Sequence, residues 1–101
     1  MSVAEVFTAL ADPTRRQIFE ALREQPRSVG ELADCHPVSR PAVSQHLRVL
    51  ESAKLVSVEP KGTRRLYSIS GEGLGELREY VDVFWGDALL AFASEVRRRK
   101  K

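Results

Sequence analysis

Apolar positions recur at helical spacing along most of the chain and give way once to alternation. Val3, Val6, Phe7 and Leu10 fall at i, i+3, i+4 and i+7 and predict a short first helix. It stops at Asp12-Pro13, because the residue before a proline avoids helical backbone angles. Asp12 caps a second helix over about Pro13 to Arg23, with Ile18, Phe19 and Leu22 inward and Gln25-Pro26 as its end. Ser28, followed three residues later by Glu31, is a capping box and opens a third helix. A fourth begins at Ser39, a good N-cap, with Pro41 in the first turn, where a missing amide hydrogen costs nothing. The linker Cys35-His36-Pro37-Val38 is the corner between these two.

Leu55 to Glu59 alternates weakly and Arg65 to Ile69 more clearly, with Pro60-Lys61-Gly62-Thr63 between them, which predicts a β-hairpin. Gly71-Glu72-Gly73 closes it. The remainder reads as one long helix with Leu74, Leu77, Val81, Phe84, Ala88 and Phe92 on a stripe, widened by Tyr80, Trp85, Leu89 and Val96. That stripe is broader than one small core can cover, and surplus apolar surface on a terminal helix points to a partner. The expected fold class is mainly α with a small β-hairpin, one domain over residues 1–96 with a basic tail at 97–101.

The fourth helix carries the most informative polar face. Val43, Leu47 and Leu50 line one side, while Pro41, Ser44, Gln45, Arg48 and Ser52 fall opposite. An ordinary solvated face is usually filled with Lys and Glu pairs, and this one has no acid until Glu51. Arg can bond bidentately to guanine, Gln to adenine, and Ser to phosphate or base. Lys61, Arg64 and Arg65 add three cations at or beside the hairpin tip. Cations on an edge strand also serve simply to prevent aggregation, so the helix and hairpin argue more strongly together than the hairpin does alone. Arg15 and Arg16 read as a solvated pair.

The segments ALADPTRRQIFEAL, SVGELA and SRPAVSQHLRVLESAKLVSVEPKGTRRLYSI resemble the ArsR/SmtB family of small bacterial winged helix-turn-helix repressors, over nearly the whole chain. SRPAVSQHL is the part most specific to that family's recognition helix. The resemblance implies a winged helix-turn-helix, dimerised through its first and last helices. Many members sense metals. Where arsenic and cadmium sensors carry Cys-Val-Cys at the start of the third helix, this chain has Ser28-Val29-Gly30, and the last helix offers no histidine for zinc. The resemblance therefore carries over fold and DNA binding without metal sensing.

Charge sharpens the picture. The 101 residues carry a net charge of only +2, yet residues 36–70 are at +4, between −2 for residues 1–35 and −5 for residues 71–96, with the tail at +5. Positive charge is thus concentrated in the motif, which is what a DNA footprint requires. There is no phosphate-binding glycine loop, no metal-binding His-Glu helix and no Cys-His nucleophile pair at usable spacing, so an enzyme is not expected. No cofactor and no metal are expected either. No apolar run is long enough to span a membrane, and the N-terminus lacks the pattern of a signal peptide, so a cytoplasmic protein is expected.

The expected function is a homodimeric repressor on a palindromic double-stranded DNA operator, with its inducer unidentified. Arg40, Ser44, Gln45 and Arg48 would contact bases and nearby phosphates, and Lys61, Arg64 and Arg65 would hold the wing. His46 either flanks them as a backbone contact or packs at the border of the Val43 face. Val3, Val6, Phe7, Leu10, Val81, Trp85, Leu89 and Phe92 would form the dimer interface. Two rivals stay open: a thiol-responsive regulator acting through the single cysteine, Cys35, and a winged-helix module that binds protein.

Overall fold

The computed structural model describes residues 3–99. Its elements run α1 (Val3–Ala11), α2 (Pro13–Ala21), α3 (Val29–Cys35), α4 (Arg40–Ser52), β1 (Val56–Lys61), β2 (Arg64–Ile69) and α5 (Gly71–Arg99). This is the winged helix-turn-helix order expected from the sequence.

The helix starts form where the capping residues stand. Asp12 accepts from the Arg15 amide at 2.8 Å, Ser28 and Glu31 make both bonds of the capping box, and Ser39 accepts from the Ala42 amide. Each cap satisfies an amide that the first helical turn would otherwise leave unpaired.

Val6, Ala9, Ile18, Leu22, Leu32, Val43, Leu47, Leu50, Leu55, Val56 and Tyr67 form the core, drawn from every element except α5. Leu74 and Leu77 pack against its edge and tie α5 down at one end only. Beyond them α5 projects, and the molecule measures 67 Å along its longest axis against 26 and 22 Å across.

Three local readings are corrected. The hairpin turn is Gly62-Thr63 alone, with Lys61 paired to Arg64 and Pro60 to Arg65, so Pro60 lies within β1. A two-residue turn makes Lys61 and Arg64 the hydrogen-bonded pair. Pro60 therefore falls at a non-bonded position, where its missing N–H faces away from β2. Gly62 takes φ +65°, which a hairpin turn of this length needs and a side chain would resist. Gly71 to Gly73 do not form a separate closing loop; they are the first turn of α5. At the other end α5 extends to Arg99. Lys100 and Lys101 lie outside the described residues.

Arg15 and Arg16 are not merely a solvated pair either: Arg15 is half-buried, and exposed Arg16 also has a protein partner. Arg15 donates from Nε to the Ala9 carbonyl at 2.6 Å and from Nη2 to that of Thr8, while Arg16 Nη1 reaches the Leu10 carbonyl at 2.9 Å. The two guanidiniums satisfy the unpaired carbonyls at the end of α1, where a cation also suits the helix dipole.

Candidate nucleic-acid interface

The corner between α3 and α4 is set by local bonds. His36 closes α3 in extended backbone geometry, and its Nδ1 lies 2.7 Å from the Leu32 carbonyl. A carbonyl can only accept, so Nδ1 carries the proton. Leu32 from α3 and Val43 and Leu47 from α4 are wholly buried in the shared core, which fixes the outward face of α4.

On that face Arg40, Gln45 and Arg48 are exposed, while Ser44 and His46 are half-buried. Arg48 Nη1 donates to Gln45 Oε1 at 3.4 Å, so the two side chains best suited to reading bases already share an orientation. The carboxyl of Asp12, at the start of α2, is held below its ordinary range chiefly by the Arg15 amide. The half-buried position of His46 is compatible with either the border or the backbone-contact reading.

The wing is anchored at its base by residues that sequence patterning did not reveal. Arg27 and Tyr67 exchange backbone bonds of 2.9 and 2.8 Å, giving β2 a second neighbour, and Arg27 Nε donates to the Ala21 carbonyl. At its tip, Lys61 and Arg65 are exposed. Arg64 is exposed as well but is held against α3: its Nη2 meets Glu31 Oε1 at 2.5 Å and Ser28 Oγ at 3.3 Å. The side chain expected to reach for phosphate is thus paired, in the unbound protein, with the capping box of α3.

Of the residues expected at a subunit interface, Val6 is wholly buried in the chain's own core and presents nothing to a partner. Leu10 packs against that core, and Val3 is half-buried. Phe7, Val81, Trp85, Leu89 and Phe92 are exposed, Trp85 at 62% and Phe92 at 67%. Phe7 meets Tyr80 edge to face at 5.2 Å, and Tyr80 leans on Phe84 at 5.0 Å, so α1 and α5 hold one aromatic face. Val83 and Leu90, which the periodicity did not single out, are equally bare on the far side of α5.

A buried helix pair with an outward Ser-Gln-Arg face, followed by a basic hairpin, defines a winged helix-turn-helix DNA-binding protein. The comparisons agree. The helix-turn-helix domain family matches residues 10–59. HTH-type transcriptional regulator Rv2034 of Mycobacterium tuberculosis is 56% identical over 85 residues, 84% of this chain and 79% of that protein. The transcriptional repressor SmtB of the same organism is 40% identical over 75% of this chain, which spans 56% of that protein's length. Among solved structures, a homodimeric winged helix-turn-helix domain from Mycobacterium bovis, described as a possible ArsR-family regulator, superposes with a TM-score of 0.68 at 34% identity, covering 84% of this chain and 79% of that one. The chain belongs to the ArsR/SmtB family of DNA-binding transcriptional regulators and is not an enzyme. No helix among the described residues is long and apolar enough to cross a membrane.

Proposed function

We propose that the protein is a homodimeric, cytoplasmic repressor that occupies a palindromic operator and does so without a metal ion. The observation that carries this reading is the outward face of α4, where Arg40, Gln45 and Arg48 are exposed and make no ion pair among the described residues, beside a cationic wing. Two such helices related by a dyad read half-sites about one helical turn apart, roughly 34–36 Å, or a multiple of that. Dimerisation would cover the aromatic face shared by Phe7, Tyr80, Phe84 and Trp85. Repression would follow from steric exclusion of polymerase, and the name of the SmtB relative supports it over activation.

The test is a footprint on genomic DNA followed by single substitutions. Gln45→Ala or Arg48→Ala should each lose roughly 1–3 kcal/mol on the operator and relax the preference at one base position. Lys61→Ala should weaken binding on every sequence alike and make the salt slope shallower by about one unit per subunit. Equal losses from all three on operator and random DNA would overturn this division between reading bases and holding phosphates.

A further inference from the structure

Three guanidinium groups from elements far apart in sequence converge on one open groove. Arg40 comes from the first turn of α4, Arg64 and Arg65 from the start of β2, and with Ser28, Val29 and Gly30 they line a space of about 430 Å³. Like charges brought together repel, and an anion relieves that repulsion. Glu31 answers only Arg64. Among the described residues, neither the Arg40 nor the Arg65 side chain has a hydrogen bond or an ion pair. Gly30 leaves room for Arg40: a Cβ there would stand 3.2 Å from Arg40 Nη2, tighter than ordinary contact. Two unpaired planar forks, one of them lying over Gly30, suit a tetrahedral oxyanion taken bidentately, a task for arginine rather than lysine.

We propose that this groove seats one phosphodiester of the DNA backbone, gripped by Arg40 and Arg65, and that Glu31 holds Arg64 in the unbound protein and weakens the seat by its own negative charge. The proposal rests on the DNA-binding reading above and adds to it a single phosphate shared by motif and wing. Glu31 is ionised at neutral pH, since the Ser28 amide and hydroxyl, and then Arg64, hold its carboxyl below the usual range. A phosphate in the seat would repel that carboxylate and compete with it for Arg64. The same three arginines would also recognise a free phosphate in solution, so the test separates the two sources.

The experiment walks a single neutral methylphosphonate through each linkage of an operator half-site and measures binding by wild type, by Arg40→Gln with Arg65→Gln, and by Glu31→Gln. In wild type, one linkage should stand out with a loss of about tenfold, as expected for a charge-assisted bond. At that linkage the double variant should lose nothing more. Arg40→Lys with Arg65→Lys, which keeps the charge without the fork, should recover part of the binding. Glu31→Gln retains the capping acceptor, so α3 should persist by circular dichroism, while affinity for operator and random DNA rises about two- to fivefold at low salt and less at high salt. A merely structural role for Glu31 would give weaker binding or none of this gain.

If wild type binds the operator but no linkage couples to the two arginines and Glu31→Gln gains nothing, the seat is refuted while the DNA reading stands. Failure of wild type to bind any duplex sinks both. Inorganic phosphate, followed through the arginine Nε–Hε resonances, should perturb Arg40 and Arg65 only at millimolar concentration and should compete with DNA. Micromolar binding of phosphate without competition would overturn the proposal in favour of a soluble phosphate ligand.

Discussion

The amide of Gly73 donates to the carbonyl of Lys54 at 2.7 Å, and this contact fixes where the last helix leaves the body. Lys54 sits at φ +60° just after α4 and turns its carbonyl toward the start of α5. A Cβ at position 73 would stand 2.6 Å from the Ala53 carbonyl oxygen and 2.8 Å from that of Lys54. Both obstacles are backbone, which cannot swing aside as a side-chain end can. Gly73→Ala should therefore cost about 1–3 kcal/mol by overpacking. Gly75→Ala, two residues on with nothing within 4 Å, should instead stabilise by roughly 0.5–1 kcal/mol through helix propensity. Urea midpoints that move the same way for both would contradict this account of α5 docking.

Arg15→Ala tests the closure of α1. It removes the bonds to the Ala9 and Thr8 carbonyls and should lower stability by about 1–2 kcal/mol. Operator affinity per folded molecule should stay within twofold of wild type, because the guanidinium is turned into α1. Intact stability with weakened DNA binding would return Arg15 to the DNA-contacting face.

Two carboxyls give stability a defined dependence on acid. The Arg15 amide at the α2 cap holds Asp12 below its ordinary value of 3.8, and the capping box holds Glu31 below 4.5. A group whose folded pKa is depressed stabilises fully above its unfolded pKa, and that contribution is lost as pH falls through the folded one. Stability should thus be level near neutrality with respect to these groups and decline from about pH 4.5 downward. Asp12→Asn together with Glu31→Gln should flatten the decline in a series of urea midpoints. An unchanged acid slope in that variant would assign the loss to other groups.

The aromatic face predicts a stable dimer. Leu89 is 53% and Phe92 67% exposed in one chain, so replacing both by Arg disturbs no core contact of the monomer. Leu89→Arg with Phe92→Arg should yield a folded monomer by sedimentation at micromolar concentration, with operator binding weakened because the half-sites are then bound singly. An undisturbed dimer would relocate the interface, with the second bare strip of Val83 and Leu90 as its next candidate.

Operator binding is expected to ignore metal. Ser28 and Gly30 stand where soft-metal sensors of the family would need thiolates, and neither residue type can replace them. A ligand shifts an equilibrium only through differential affinity for the two states. Titrations with zinc, cadmium, arsenite or chelator in reductant should superpose, and a tenfold shift with any one of them would refute metal independence. Peroxide sensitivity that disappears in Cys35→Ser would promote the thiol-responsive rival.

The sequence by itself determined the elements and the kind of surface they present. Caps at Asp12, Ser28 and Ser39 act over three residues, and the faces of α4 follow from its own periodicity, so both are written locally. The hairpin, too, was legible from alternation and Gly62, although its turn proved two residues shorter than the polar run suggested. Tertiary structure alone decided the partners of individual charges and the fate of ambiguous apolar residues. Glu31 and Arg64 are 33 residues apart and meet only because β2 folds back beside α3. Arg15 looks like any exposed cation until the turn at Asp12-Pro13 folds α2 back and brings it to the end of α1. Val6 and Phe7 are adjacent and equally apolar, yet one is sealed and the other bare, since only packing of the neighbouring helices fixes which side of α1 is inside. Local sequence sets hydrogen bonds made within a few residues, whereas contacts between elements depend on how whole faces pack, and no short stretch encodes that.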